Sequence, residues 1–194
     1  MKRYPLFRKL LLLLAWISAT SLAFPAARED GPEIKEFNAR IQKYIELHRQ
    51  VAGRIRPKDQ VNDPKALVQQ KQDFINALQA GRPAAAQGDI FTPKVQRFFL
   101  EVINGELQGQ AGAKARAMIL GEGNPKSPGS TAPITLKVNT PYPTKAPMST
   151  VPPSLLLALP KLPEDLEYRF VGRSLILRDV DADLIVDFIA NAVK

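Results

Sequence analysis

The most regular pattern along the chain is a set of apolar positions spaced three and four residues apart. Between residues 32 and 52 it runs through Ile34, Phe37, Ile41, Tyr44, Ile45, Leu47, Val51 and Ala52, as one face of a helix requires. Pro32 suits the first turn of that helix and Gly53 its exit. His48 continues the same stripe and reads as an imidazole packed at the edge of a core. A second helix is predicted over 64–80, with Asp63 as N-cap, Pro64 in the first turn, and Leu67, Val68, Phe74, Ile75 and Leu78 as its apolar face. A third starts at Thr92-Pro93, carries Val95, Phe98, Phe99, Val102 and Ile103, and closes at Gly105. Phe91 directly precedes its cap and is placed to staple onto the first turn. A short alanine-rich helix over 111–120 follows. Helices of such length are marginal in isolation, so they are expected to pack together as a small bundle.

After Leu120 the pattern changes. Ten of the 17 prolines fall between Pro125 and Pro163. Ile134, Leu136 and Val138 alternate with polar residues, which predicts a half-buried strand stopped by Pro141 and Pro143. A helical turn is expected over 154–159. Runs over 166–171 and 175–178 flank Gly172-Arg173, where glycine at the first central position fits a type II′ hairpin, and 184–189 supplies a third strand. The fold class expected is therefore α+β: an N-terminal small helical bundle over 24–120, a proline-rich connector with one strand over 121–150, and a C-terminal antiparallel β-meander over 151–194. One domain or two mutually packed subdomains would both fit this length.

Residues 1–23 stand apart. Lys2, Arg3, Arg8 and Lys9 precede a short apolar run through Leu10, Leu14 and Ile17, and Ser21 and Ala23 offer a small-x-small site before Phe24. These are the three parts of a secretory signal peptide, and the apolar run is short for a membrane span; an uncleaved anchor is the alternative. The expectation is an exported, periplasmic or secreted protein with no stable membrane span once the signal is removed. The segment also changes how the charge is read. It contributes four of the eight net positive charges, so the remainder is too modest for a dedicated nucleic-acid binder. Arg54, Arg56 and Lys58 form the densest basic cluster. It reads as a solvated turn or as a weak binding site for an acidic glycan or lipid head group.

The chain has no cysteine, which excludes disulfides, thiol nucleophiles and cysteine-based metal sites, and His48 is its one histidine. It has no GxSxG elbow, no HExxH and no standard glycine-rich phosphate loop, so no catalytic residue is nominated. Asp179, Asp181 and Asp183 form the one spacing that invites a divalent cation, because alternate residues of an extended segment project to one side. The spacing is not a complete EF-hand: Leu184 stands at the glycine position and Ala190 at the closing glutamate. A polar turn between two strands is the plainer reading.

The run from Val151-Pro-Pro153 through Leu162-Pro163, Glu167-Tyr-Arg-Phe-Val-Gly172 and Leu175-Ile-Leu-Arg-Asp179 to Leu184-Ile-Val-Asp-Phe-Ile189 resembles the C-terminal module of RcnB-like periplasmic proteins. That resemblance implies a small β-module, an extracytoplasmic setting and a link to nickel and cobalt homeostasis. The chain departs from what nickel binding would favour, having no cysteine and only His48, which lies far outside the module. Three functions are thus open. The first is a non-enzymatic binding or interaction protein of the cell envelope, with a protein or glycan partner and no cofactor. The second is a divalent-cation handling protein, and the third a carboxylate-based hydrolase.

Overall fold

The computed structural model describes residues 31–55, 63–124, 134–144 and 146–194. The signal-like segment, Arg56, Lys58 and the glycine- and proline-rich stretch 125–133 lie outside the described residues.

The helical half follows its apolar stripes. α1 spans Pro32–Ile55 and buries Ile34, Phe37, Ile41, Tyr44, Ile45, His48 and Val51. α2 spans Pro64–Gly81, and the Asp63 side chain accepts the Lys65 N–H as its cap. α3, Pro93–Glu106, is capped by the Thr92 hydroxyl, which accepts from Val95 N–H. Phe91, just before that cap, is buried in the same cluster as Val95 of the first turn of α3. Its ring also meets Phe99, one turn further on, at 5.0 Å and Phe37 of α1 at 5.9 Å, which extends the contact into a larger aromatic cluster. α4 covers Gly109–Glu122 and α5 Pro153–Ala158.

The C-terminal half is one antiparallel sheet. β1 (Thr140–Pro141), β2 (Leu166–Val171), β3 (Ser174–Asp179) and β4 (Leu184–Ile189) are ordered β1-β4-β3-β2. β2 and β3 join through the two-residue turn Gly172-Arg173, with Val171 opposite Ser174 and Gly172 at φ 55°. The strand expected over 134–138 does not form, and only Thr140 and Pro141 pair with β4. A register shift on β4 turns the Val186 and Phe188 carbonyls outward, where the side chains of Arg82 and Gln87 take them. That edge is no longer available to a ladder. Ile134 and Leu136 instead pack on the outer face of the sheet beside Tyr142, Val171, Ile176 and Ile185.

The inner face of the sheet and the helices share one core. Leu166, Tyr168 and Phe170 of β2, Leu175 and Leu177 of β3, and Val186 and Ile189 of β4 belong to the same cluster as Phe37, Ile41, Phe99, Ile103 and Ile119. Asp187, fully buried on β4, fastens the 88–91 loop to the sheet. Its carboxylate accepts from the backbone N–H groups of Gly88, Ile90 and Phe91 at 2.8–3.0 Å.

Candidate functional site

On β3 the side chains of Leu175 and Leu177 point into the helices, and by the same alternation so does Asp179. On α1 the buried stripe continues from Ile41 and Tyr44 to His48. A carboxylate and an imidazole thus occupy core-facing positions on two packed elements, and they meet. His48 Nδ1 lies 2.7 Å from Asp179 Oδ2, with His48 2% exposed and Asp179 fully buried. The Tyr44 hydroxyl donates to the same oxygen at 2.7 Å, and Ala182 N–H donates to Oδ1 at 2.8 Å. Three donors therefore satisfy a carboxylate that could not otherwise be buried.

An ionised carboxylate only accepts, so the proton between Asp179 and His48 sits on Nδ1. The other ring nitrogen is then directed the opposite way. Nε2 lies 3.5 Å from Asp165 Oδ1 and 3.6 Å from Asp181 Oδ2. Asp165 sits just before β2, where its carbonyl accepts Val180 N–H at 3.0 Å. Asp181 lies in the β3–β4 turn. Their side chains are 32% and 37% exposed, so the cluster has a buried nitrogen at its base and two half-open carboxylates at its mouth. Phe74 of α2 meets the imidazole edge-on at 5.1 Å and closes its flank.

The electrostatics follow from this placement. Burial alone would push the His48 pKa down. The hydrogen bond and charge of Asp179, with the charges of Asp165 and Asp181, outweigh burial and raise it above the ordinary 6.5. Burial, reinforced by the Asp179 charge, drives the Tyr44 hydroxyl far above its ordinary range and keeps it a donor.

His48, Asp165 and Asp181 each offer one ligand atom, and these three atoms lie within 4.8 Å of one another. Bonds of about 2.0–2.2 Å at tetrahedral angles place neighbouring ligand atoms roughly 3.4 Å apart. The two nitrogen–oxygen separations are already close to that spacing. Asp179 behind the imidazole is the carboxylate partner that a metal-ligating histidine ordinarily has, fixing both tautomer and ring orientation.

The three aspartates singled out by their spacing go to different places. Asp179 is committed to His48, Tyr44 and Ala182, and Asp181 faces His48 Nε2. Asp183, at φ 53°, turns away to Arg178 and Lys71. The segment is a turn, not an extended strand, so alternate side chains do not share a side. Asp165 lies outside the aspartate spacing, and His48 reads from its stripe as a core imidazole rather than a ligand. A signal was available: His48 and Asp179 are polar residues in phase with core positions on their elements, and each needs the other. Of the basic cluster, Arg54 is exposed at the end of α1, where its Nε donates to the Gln50 carbonyl.

Comparison with protein-family models, curated proteins and solved structures finds no match to this chain.

Proposed function

We propose that the protein is a divalent transition-metal binder of the cell envelope, with His48, Asp165 and Asp181 as its ligands. The observation that carries this reading is the convergence of His48 Nε2 with two carboxylates while Asp179 holds Nδ1. One nitrogen and two oxygens, with the mouth half open, suit zinc, nickel, cobalt or manganese better than calcium, which takes six to eight oxygens. The open side leaves room for water or a fourth donor from a partner, as transfer of an ion between proteins requires. The envelope location rests on the signal-like segment 1–23, and the similarity to RcnB-like proteins points to the same class of ion.

Thermal unfolding of chelator-treated protein tests the proposal when repeated with zinc, nickel, cobalt, manganese and calcium. An ion at a hundred times its Kd should add about 2.7 kcal/mol to stability. His48→Gln, Asp165→Asn and Asp181→Asn should each remove that gain, and Asp183→Asn should retain it. Cobalt bound at low coordination number would also give intense visible absorption. The absence of a shift with every ion, or a shift insensitive to the three ligand substitutions, would overturn the assignment.

A further inference from the structure

A groove separate from the histidine–aspartate cluster opens between α5 and the outer edge of β2. It encloses about 570 Å³, and Val151, Leu156, Leu157, Leu162 and Tyr168 are among its walls. Leu156 and Leu157 are 52% and 84% exposed, next to the fully buried Leu155. Two adjacent leucines on a rim have no role in the core they border.

The backbone along the groove has an open edge. β2 is the last strand of the sheet. Phe170 exchanges N–H and C=O bonds with Ser149 at 3.0 and 2.8 Å, so its backbone groups face away from β3. Bonding direction alternates along a strand, so Tyr168 and Leu166 face the same outer edge. Pro163 accepts the Leu166 N–H, while the Tyr168 N–H and C=O have no backbone partner among the described residues. Continuing antiparallel from Ser149 would set Val151 opposite Tyr168. Instead Pro152 and Pro153, neither with an N–H, divert the chain into α5. One strand position beside Tyr168 is left open, with the apolar side of α5 as the facing wall.

The rim adds a charge preference. Lys161 and Arg169 line the groove against a single carboxylate, Glu167. Glu167 is shared between Arg169 and Arg178, and Lys161 is exposed with no ion pair among the described residues. The excess on this rim is positive.

We propose that the groove binds an extended segment of a partner protein, which pairs through its backbone with Tyr168 at the outer edge of β2. Its apolar side chains, at alternate positions, would lie against Leu156 and Leu157, and an acidic group would lie near Lys161. Main-chain bonds to Tyr168 would supply affinity, and the apolar wall and the lysine would supply selectivity. This inference is independent of the metal-binding proposal.

The test is selection of a displayed random library of peptides about ten residues long, the upper range for a strand, on the purified protein, followed by polarisation measurements with synthetic winners. The expected winners alternate apolar and polar residues and carry at least one acid. Methylating the peptide nitrogen that faces the Tyr168 carbonyl should weaken binding about tenfold or more, the factor for one lost hydrogen bond of roughly 1.4 kcal/mol. Leu157→Lys, at an exposed position that leaves the fold intact, should weaken it similarly, and Lys161→Glu should reverse the preference for acidic peptides. An empty selection would overturn the proposal, as would winners indifferent to Leu157→Lys and to backbone methylation. Self-association lost in Leu157→Lys without peptide binding would also overturn it and assign the groove to a second copy of the chain.

Discussion

His48 and Asp179 are 131 residues apart in sequence and 2.7 Å apart in the fold, joined through Nδ1 and Oδ2. The pair connects α1 to the sheet at the end where β2 begins and β3 finishes. It also orients Nε2 toward Asp165 and Asp181, so the same contact supports both stability and the proposed ligand geometry.

Asp179→Ala should therefore lower stability and metal affinity together. Removing the carboxylate strands the Tyr44 hydroxyl, the Ala182 N–H and the imidazole in a buried site, and we expect a loss of about 3–5 kcal/mol, typical of breaking a buried charged pair. Where the variant stays folded, ion affinity should fall about 10–100-fold, the usual effect of losing a histidine's carboxylate partner. Tyr44→Phe keeps the ring under the Arg82 guanidinium, 5.2 Å from its centroid, and removes one donor. It should cost about 1–2 kcal/mol. Urea unfolding and calorimetric titration with zinc measure the two effects separately.

The tyrosines should titrate unequally in alkali. Burial pushes Tyr142 up to about 12, and Tyr44 and Tyr168 higher still. A phenol whose folded pKa is raised contributes stability that is fully present below its unfolded value, about 10, and lost as pH rises through the folded value. Phenolate absorbance from Tyr44 and Tyr168 should therefore appear only together with loss of the circular dichroism of the fold. Their ionisation near pH 10 in folded protein would contradict the buried positions.

Asp187 offers a test at the acid end. Burial raises its pKa above the ordinary 3.8 against the opposing pull of four backbone N–H groups, those of Gly88, Phe91, Ile90 and Phe188. The stabilising contribution of this group is complete below its unfolded pKa and declines as pH rises through the raised folded one. Asp187→Asn removes that dependence. The stability of the native protein relative to the variant should be greatest in acid and shrink toward neutral pH, as read from urea midpoints across the range. Asp187→Ala should be costlier at every pH, because the 88–91 loop then loses its acceptor.

Two glycines should respond in opposite directions to alanine. A Cβ on Gly112 would collide with the Leu107 backbone, its oxygen 2.6 Å away, and should cost about 1–3 kcal/mol as overpacking does. A Cβ on Gly105 meets nothing within 4 Å, so Gly105→Ala should stabilise by about 0.4–1 kcal/mol through the unfolded chain. Thermal midpoints of the two variants should move to either side of the native value.

Much of this molecule was readable as local pattern. The spacing of Ile34, Phe37, Ile41, Tyr44 and Ile45 specifies α1, the Asp63-Pro64 and Thr92-Pro93 pairs start α2 and α3, and Gly172-Arg173 sets the β2–β3 hairpin. Each is decided by residues within a few positions of one another, so sequence alone determined them, along with the α+β class. The alternation of Ile134, Leu136 and Val138 was equally local, yet no strand forms. Whether a strand pairs depends on a free edge, and Arg82 and Gln87 had already taken that edge of β4. The site is of the second kind. His48 and Asp179 were legible as polar residues at core positions, but only packing α1 on the inner face of the sheet joins them. Only the turn after β3 sends Asp181 toward the imidazole and Asp183 toward Arg178. Sequence determined which side chains face inward, because helical and strand periods are backbone properties. Tertiary structure decided which of them meet, because that depends on how separate elements pack.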